Sequence, residues 1–175
     1  MNSKIFLGPM SKNIVDTVID YSTEFKFPFT FIPSRRQVEY NGGYVNNWTT
    51  ESFVNYVKRK GKYIFVERDH GGPGQGTNMD DGIVSFKEDC KYMDIIHIDP
   101  WKKYSNYNDG LNETIKALNF CYNENSNLDF EISTEQGIRK FEVDELERFI
   151  LDLQKRLKPE VYNKIKYFVV QCGTG

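Results

Sequence analysis

The chain carries only two histidines, His70 and His97. Each lies beside an acid: Asp69 precedes His70, and Asp99 stands two residues after His97. Imidazole and carboxylate together bind divalent ions, and a mixed set of His70, Asp99 and Glu135, with His97, suits zinc, manganese or magnesium. The same residues also make an ordinary hydrogen-bonded polar layer, with His97 as one of its members and Glu131 or Glu135 paired to Arg35 or Lys102. Two basic pairs, Arg35-Arg36 and Lys102-Lys103, have the chemistry to hold a phosphate, arginine in a bidentate way. They equally suit solvated loops. Gly71-Gly72-Pro73-Gly74 follows His70 directly and reads as a turn, with Gly72 in a substrate loop. Tyr44 and Trp101 are the aromatic faces on which a sugar could stack, or else packing residues.

Five β-rich apolar runs position these groups, at 28–33, 63–68, 93–98, 128–133 and 166–172, starting roughly 35 residues apart. That is the spacing of βα units with parallel strands. Helical patterns fill the gaps. One is predicted over 11–25, with Ile14, Val18 and Phe25 inward. Another opens at Thr49, whose hydroxyl can cap it, and stops at Gly61. A third covers 80–92, a fourth carries Leu111, Ile115, Leu118 and Tyr122, and a fifth has Leu146, Phe149, Ile150, Leu153 and Leu157 on one stripe. Pro159 ends that helix or starts a short turn.

Several strands have one polar face. Glu67 and Asp69 alternate with Val66, His97 and Asp99 with Ile96 and Ile98, and Glu131 with Ile132. A doubly wound sheet buries both faces and reads as nearly continuous apolar runs. The repeated polar face instead predicts a barrel lumen, an α/β chain of (β/α)8 TIM-barrel type. Such a barrel takes about 250 residues, so 175 residues with about five βα units predict one domain over 1–175, a partial barrel truncated before closure. An open sheet of that kind exposes an edge on which chains associate, so a homo-oligomer is a candidate state.

Composition excludes other classes. The net charge of -2, with scattered positive residues, leaves no nucleic-acid footprint and no basic membrane patch. No apolar run is long enough to span a bilayer and no signal peptide opens the chain. Cys90, Cys121 and Cys172 are odd in number and far apart, which argues against a disulfide framework and for a reducing, cytoplasmic compartment.

Three stretches together resemble the tagatose-bisphosphate aldolase non-catalytic subunit family, a branch of the class II aldolase-type barrels. The stretch Ser34-Arg35-Arg36-Gln37-Val38, continuing through Gly42-Gly43-Tyr44, is similar to its Asn-Gln-Val…Gly-Gly-Tyr loop. Arg68-Asp69-His70-Gly71-Gly72-Pro73-Gly74 is similar to its Gly-Asp-His-x-Gly-Pro turn, and Ile96-His97-Ile98-Asp99 to its Ile-His-Leu-Asp strand end. Thr134-Glu135 and Val169-Val170-Gln171-x-Gly173 fall in the same order. Arg35-Arg36 and Pro100-Trp101-Lys102-Lys103 depart from the family pattern, so the ligand can differ from tagatose bisphosphate.

The resemblance implies metal-assisted proton abstraction beside the carbonyl of a sugar phosphate, with zinc as the expected divalent metal. In that reading Asp69 carries the proton with Glu135 as a second catalytic carboxylate, and His70 and His97 hold the metal. Arg35, Arg36, Gln37, Gly72, Asp99, Lys102 and Gln171 bind the substrate. Catalytic members of that superfamily use three histidines and this chain has two. The resemblance therefore implies, as a second reading, a supporting subunit for a separate catalytic aldolase.

Overall fold

The computed structural model describes residues 5–134 and 141–170. Six strands alternate with helices: β1 (Phe6–Leu7), α1 (Lys12–Phe25), β2 (Phe29–Phe31), α2 (Thr50–Lys60), β3 (Ile64–Gly71), α3 (Ile83–Tyr92), β4 (Ile95–Ile98), α4 (Tyr107–Glu124), β5 (Asp129–Ser133), α5 (Val143–Arg156), α6 (Pro159–Tyr162) and β6 (Ile165–Val169). All strand pairs are parallel and the strand order follows the chain, β1 to β6.

The expected eight-unit barrel is corrected by this topology. The chain forms a curled, open α/β sheet of six parallel strands, not a TIM barrel of eight units, and β1 and β6 share no ladder among the described residues. The polar alternation that suggested a closed lumen is also what a curled sheet with a wet concave face produces. Local periodicity reports which face is polar; it does not report closure. The curl is plain from Phe6 on β1 and Tyr167 on β6, whose rings meet edge to face at 5.6 Å between centroids.

The remaining elements follow local chemistry. Ser11 caps α1 by accepting from Ile14 N, and Thr49 with Ser52 forms a full capping box on α2. Helix α3 starts at Ile83, later than the predicted 80, because Gly82 takes φ 75° and Asp80 is drawn to Arg35. Pro159 opens the short helix α6. Strand β1 has two residues, too few for a periodic signal, and was not predicted.

The helices cover the convex face of the sheet. Phe31, Val66, Ile96, Ile98, Phe130 and Ile132 are all fully buried beneath them. Register places Thr30, Glu67, Asp69, His97, Glu131 and Tyr167 on the opposite, concave face. No helix among the described residues is long and apolar enough to cross a membrane.

Candidate functional site

The polar groups converge at the carboxyl end of β3 and β4. Strand β3 is irregular there, with a register shift between Arg68 and Gly71. His70 takes a left-handed conformation, φ 46°. In a regular strand Asp69 and His70 would face opposite ways; here His70 Nε2 lies 3.6 Å from Asp69 Oδ1. His97 Nδ1 lies 3.7 Å from the same oxygen. Asp69, His70 and His97 each offer one ligand atom, all within 4.8 Å of one another.

Neighbours orient these rings. His70 Nδ1 meets Asp99 Oδ2 at 2.7 Å. Asp99 is acceptor only when ionised, so this contact puts the proton on Nδ1 and leaves the Nε2 lone pair facing Asp69. Gln75 Nε2 donates to the same Asp99 oxygen at 2.8 Å and to Asp99 O at 3.1 Å. His97 Nδ1 accepts from His70 N at 3.3 Å and stands 3.6 Å from Glu131 Oε2.

Beneath this trio the concave face is buried and polar. The Glu67 carboxyl oxygens, Thr30 Oγ1 and His97 Nε2 are enclosed and make no hydrogen bond of ordinary geometry among the described residues. Burial, followed by the neighbouring Glu131 carboxyl, pushes Glu67 up to about 10. Asp69 moves the other way. Burial opposes its charge, but His97, His70 and Arg68 outweigh that and hold it below the usual carboxylate range.

Arg68 anchors this corner from the convex side. It is fully buried, and its guanidinium donates to both Asp89 oxygens at 2.8 and 2.9 Å, to Pro33 O, to Val38 O and to Thr50 Oγ1. All five N–H donors of an arginine are thereby used. Asp69 N donates to Pro33 O, so the loop that Arg68 holds also fixes the backbone of Asp69.

The other expected site residues are spread more widely. Arg35 is buried and engaged by Glu39 at 2.6 Å, Asp80 at 2.6 and 2.9 Å and Gly72 O at 2.7 Å. Its charge therefore ties the loop after β2 to the loop after β3. Arg36 and Lys102 are exposed. Gln37 is buried, accepting from Ser34 N and donating to Met10 Sδ. Gly72 has φ 134°, and a Cβ there would meet Asp99 O at 3.1 Å. Trp101 is fully buried, donates to Ser133 O and packs on Phe141 and Phe149, whereas Tyr44 is exposed. Glu135 and Gln171, with Cys172 and Gly173, lie outside the described residues. Gln75 and Arg68 were not singled out as site-building residues by sequence. Each acts through a partner more than twenty positions away, and no local signal marks such a contact.

The fold and site define an open parallel α/β domain with Asp69, His70 and His97 gathered at the carboxyl ends of adjacent strands, where ligands of such sheets bind. No protein-family model matches the chain, and no curated protein matches it. Among solved structures it is similar to the crystal structure of a probable tagatose 6 phosphate kinase from Sinorhizobium meliloti 1021, with a TM-score of 0.77 and 13% identity. The match covers 97% of this chain and 49% of that one, so this chain spans about half the length of that structure. At this identity the likeness is one of fold.

Proposed function

We propose that this chain handles a sugar phosphate at the carboxyl end of its sheet, with a divalent cation, zinc foremost, held by Asp69, His70 and His97. The observation that carries the reading is the approach of Asp69 Oδ1 to His70 Nε2 and His97 Nδ1, at 3.6 and 3.7 Å. Metal–ligand bonds of about 2.0–2.1 Å in a tetrahedron put neighbouring ligand atoms roughly 3.3 Å apart; the two Asp69–imidazole distances lie close to that, and the two imidazoles would close on the ion from within 4.8 Å. Asp99 supports it as the outer carboxylate that fixes a ligating imidazole. The His70 N–H contact to His97 Nδ1 uses the same lone pair, so loading the site would replace that weak hydrogen bond with a metal–nitrogen bond. The sugar-phosphate part is supported by the resembled family and by the name of the structural neighbour, a probable tagatose 6 phosphate kinase.

A cation at this position would polarise a substrate carbonyl and ease loss of the adjacent carbon-bound proton. In this reading Asp69, first expected as the proton carrier, becomes a ligand. Glu131, half-buried beside His97, receives the proton. The exposed Arg36 and Lys102 meet the phosphate. A second reading, a subunit supporting a separate catalytic aldolase, is favoured by the presence of only two histidines and by the pairing of Arg35 with Glu39 and Asp80.

The test is elemental mass spectrometry of the zinc-equilibrated, desalted protein, repeated on His70→Ala, followed by titration with a ketose phosphate. Stoichiometric zinc that disappears in the variant, with ketose-phosphate binding in the wild type, supports the enzyme reading. A folded wild type that retains no divalent ion moves the assignment to the supporting subunit.

A further inference from the structure

Residues 72–82 leave the carboxyl end of β3 and return to the same place. A side chain on Gly82 would meet the Gly72 carbonyl carbon at 2.6 Å, so the two ends of the segment touch. Both glycines have positive φ, 134° and 75°. This is the form of an Ω loop, a compact surface loop closed at its neck. Its returning arm is latched near the neck by Asp80, which takes two hydrogen bonds from the Arg35 guanidinium, while Arg35 also grips Gly72 O on the outgoing arm.

The loop also reaches inward. Gln75 donates to Asp99 Oδ2 at 2.8 Å, the atom that lies 2.7 Å from His70 Nδ1. One carboxylate oxygen thus joins the loop to the imidazole that faces Asp69. With the loop in place, Asp99 is held from two sides and His70 keeps one tautomer and one orientation. With the loop displaced, Asp99 loses the donor on the oxygen that faces His70 and keeps only the longer contact from Trp101 N on its other oxygen, at 3.3 Å.

We propose that the 72–82 loop is a ligand-responsive clamp on the cation site, with Gln75 as its positioning residue acting through Asp99 on His70. This rests on the cation reading above for the identity of the ligand. Because linkage is reciprocal, whatever orders the loop tightens cation binding, and a bound cation orders the loop to the same extent. A substrate covering the loop would therefore raise cation affinity without touching the cation ligands.

The experiment uses the full chain and two variants. Gln75→Ala removes the inner contact, and Asp80→Asn loosens the latch from outside the site. The tautomer of His70 is read in metal-free protein by long-range proton–nitrogen NMR, Co2+ affinity by titration, and amide exchange over 72–82 with and without Co2+. The expected results are a single Nδ1–H tautomer in the wild type and mixed tautomers in both variants. Co2+ should bind the variants about tenfold more weakly, as for loss of an outer support to a ligand, and should slow exchange of the wild-type loop. An unchanged His70 tautomer in Gln75→Ala overturns the clamp while leaving the cation reading intact. Failure of wild type to bind Co2+ overturns the cation reading, and with it the ligand of the clamp, even where the tautomer responds.

Discussion

Phe6 and Tyr167 sit on opposite edges of the six-stranded sheet, yet their rings meet at 5.6 Å and an angle of 84°. In a flat sheet five strand spacings of about 4.8 Å would separate those edges by roughly 24 Å. The contact therefore spans the concave face and helps hold the curl that brings β3, β4 and β5 around the polar site. A double-mutant cycle with Phe6→Leu and Tyr167→Leu, measured by urea denaturation, should show a favourable coupling of about 0.5–1.5 kcal/mol. Strict additivity would mean that the rings touch without stabilising the curl.

Arg68 and Asp89 form a fully buried ion pair on the other side of the sheet. Removing one partner leaves a charge in the core. Arg68→Met is expected to lower unfolding free energy by about 3–5 kcal/mol, whereas Arg68→Met with Asp89→Leu should recover only part of the loss, because Pro33 O, Val38 O and Thr50 Oγ1 also lose their donor. The same denaturation midpoints, compared across the single and double variants, check this. A single variant as stable as wild type would show that water reaches the pair.

Gly110 lies within α4, where alanine would ordinarily add about 1 kcal/mol of helix propensity. A Cβ there would approach Trp101 Cζ3 to 2.1 Å. Overpacking of that kind costs about 1–3 kcal/mol, so Gly110→Ala should lower the thermal midpoint despite the better helix former. Combining it with Trp101→Phe, which opens space at the clash, should restore part of the loss. A higher midpoint for Gly110→Ala alone would show that the Trp101 ring moves freely.

Tyr107 donates to Asp152 Oδ2 at 2.7 Å. Burial, and then that hydrogen bond, push its phenol from the ordinary 10.0 up to about 12. The folded value is above the unfolded one, so the native state favours the protonated phenol. Its contribution to stability is complete below about pH 10 and is lost as pH rises through about 12. Ultraviolet titration of the native protein should show one tyrosine titrating last, and Tyr107→Phe should remove that step. A spectrum unchanged by Tyr107→Phe at high pH would place the late-titrating group elsewhere.

Much of the architecture was legible because it is local. Ser11 and Thr49 cap helices through neighbours three residues on, and apolar periodicity marks the buried faces of α2 and α4. Alternation in β3, β4 and β5 separated Val66, Ile96 and Ile132 from Glu67, His97 and Glu131, and the register keeps those faces apart. The proximity of Asp69 and His70 followed from a turn beginning at His70, since only a break in the pleat lets adjacent residues meet.

What the sequence by itself determined is therefore the succession of elements after β1 and the polar and apolar faces of β3, β4 and β5, set by interactions within a few residues; on α1, Ile14 and Phe25, expected inward, are exposed and Val15 and Ile19 are buried instead. Tertiary structure alone decided how many strands gather, that their sheet stays open, and that its edges meet through Phe6 and Tyr167. It also decided the partners of Arg35, Arg68 and Asp99. Each of those groups is buried or nearly so and must satisfy its charge, but the partner that satisfies it is selected by the packing of distant loops. Arg35 illustrates the difference. Its type and place suggested a phosphate ligand, and the fold surrounds it instead with Glu39, Asp80 and the Gly72 carbonyl.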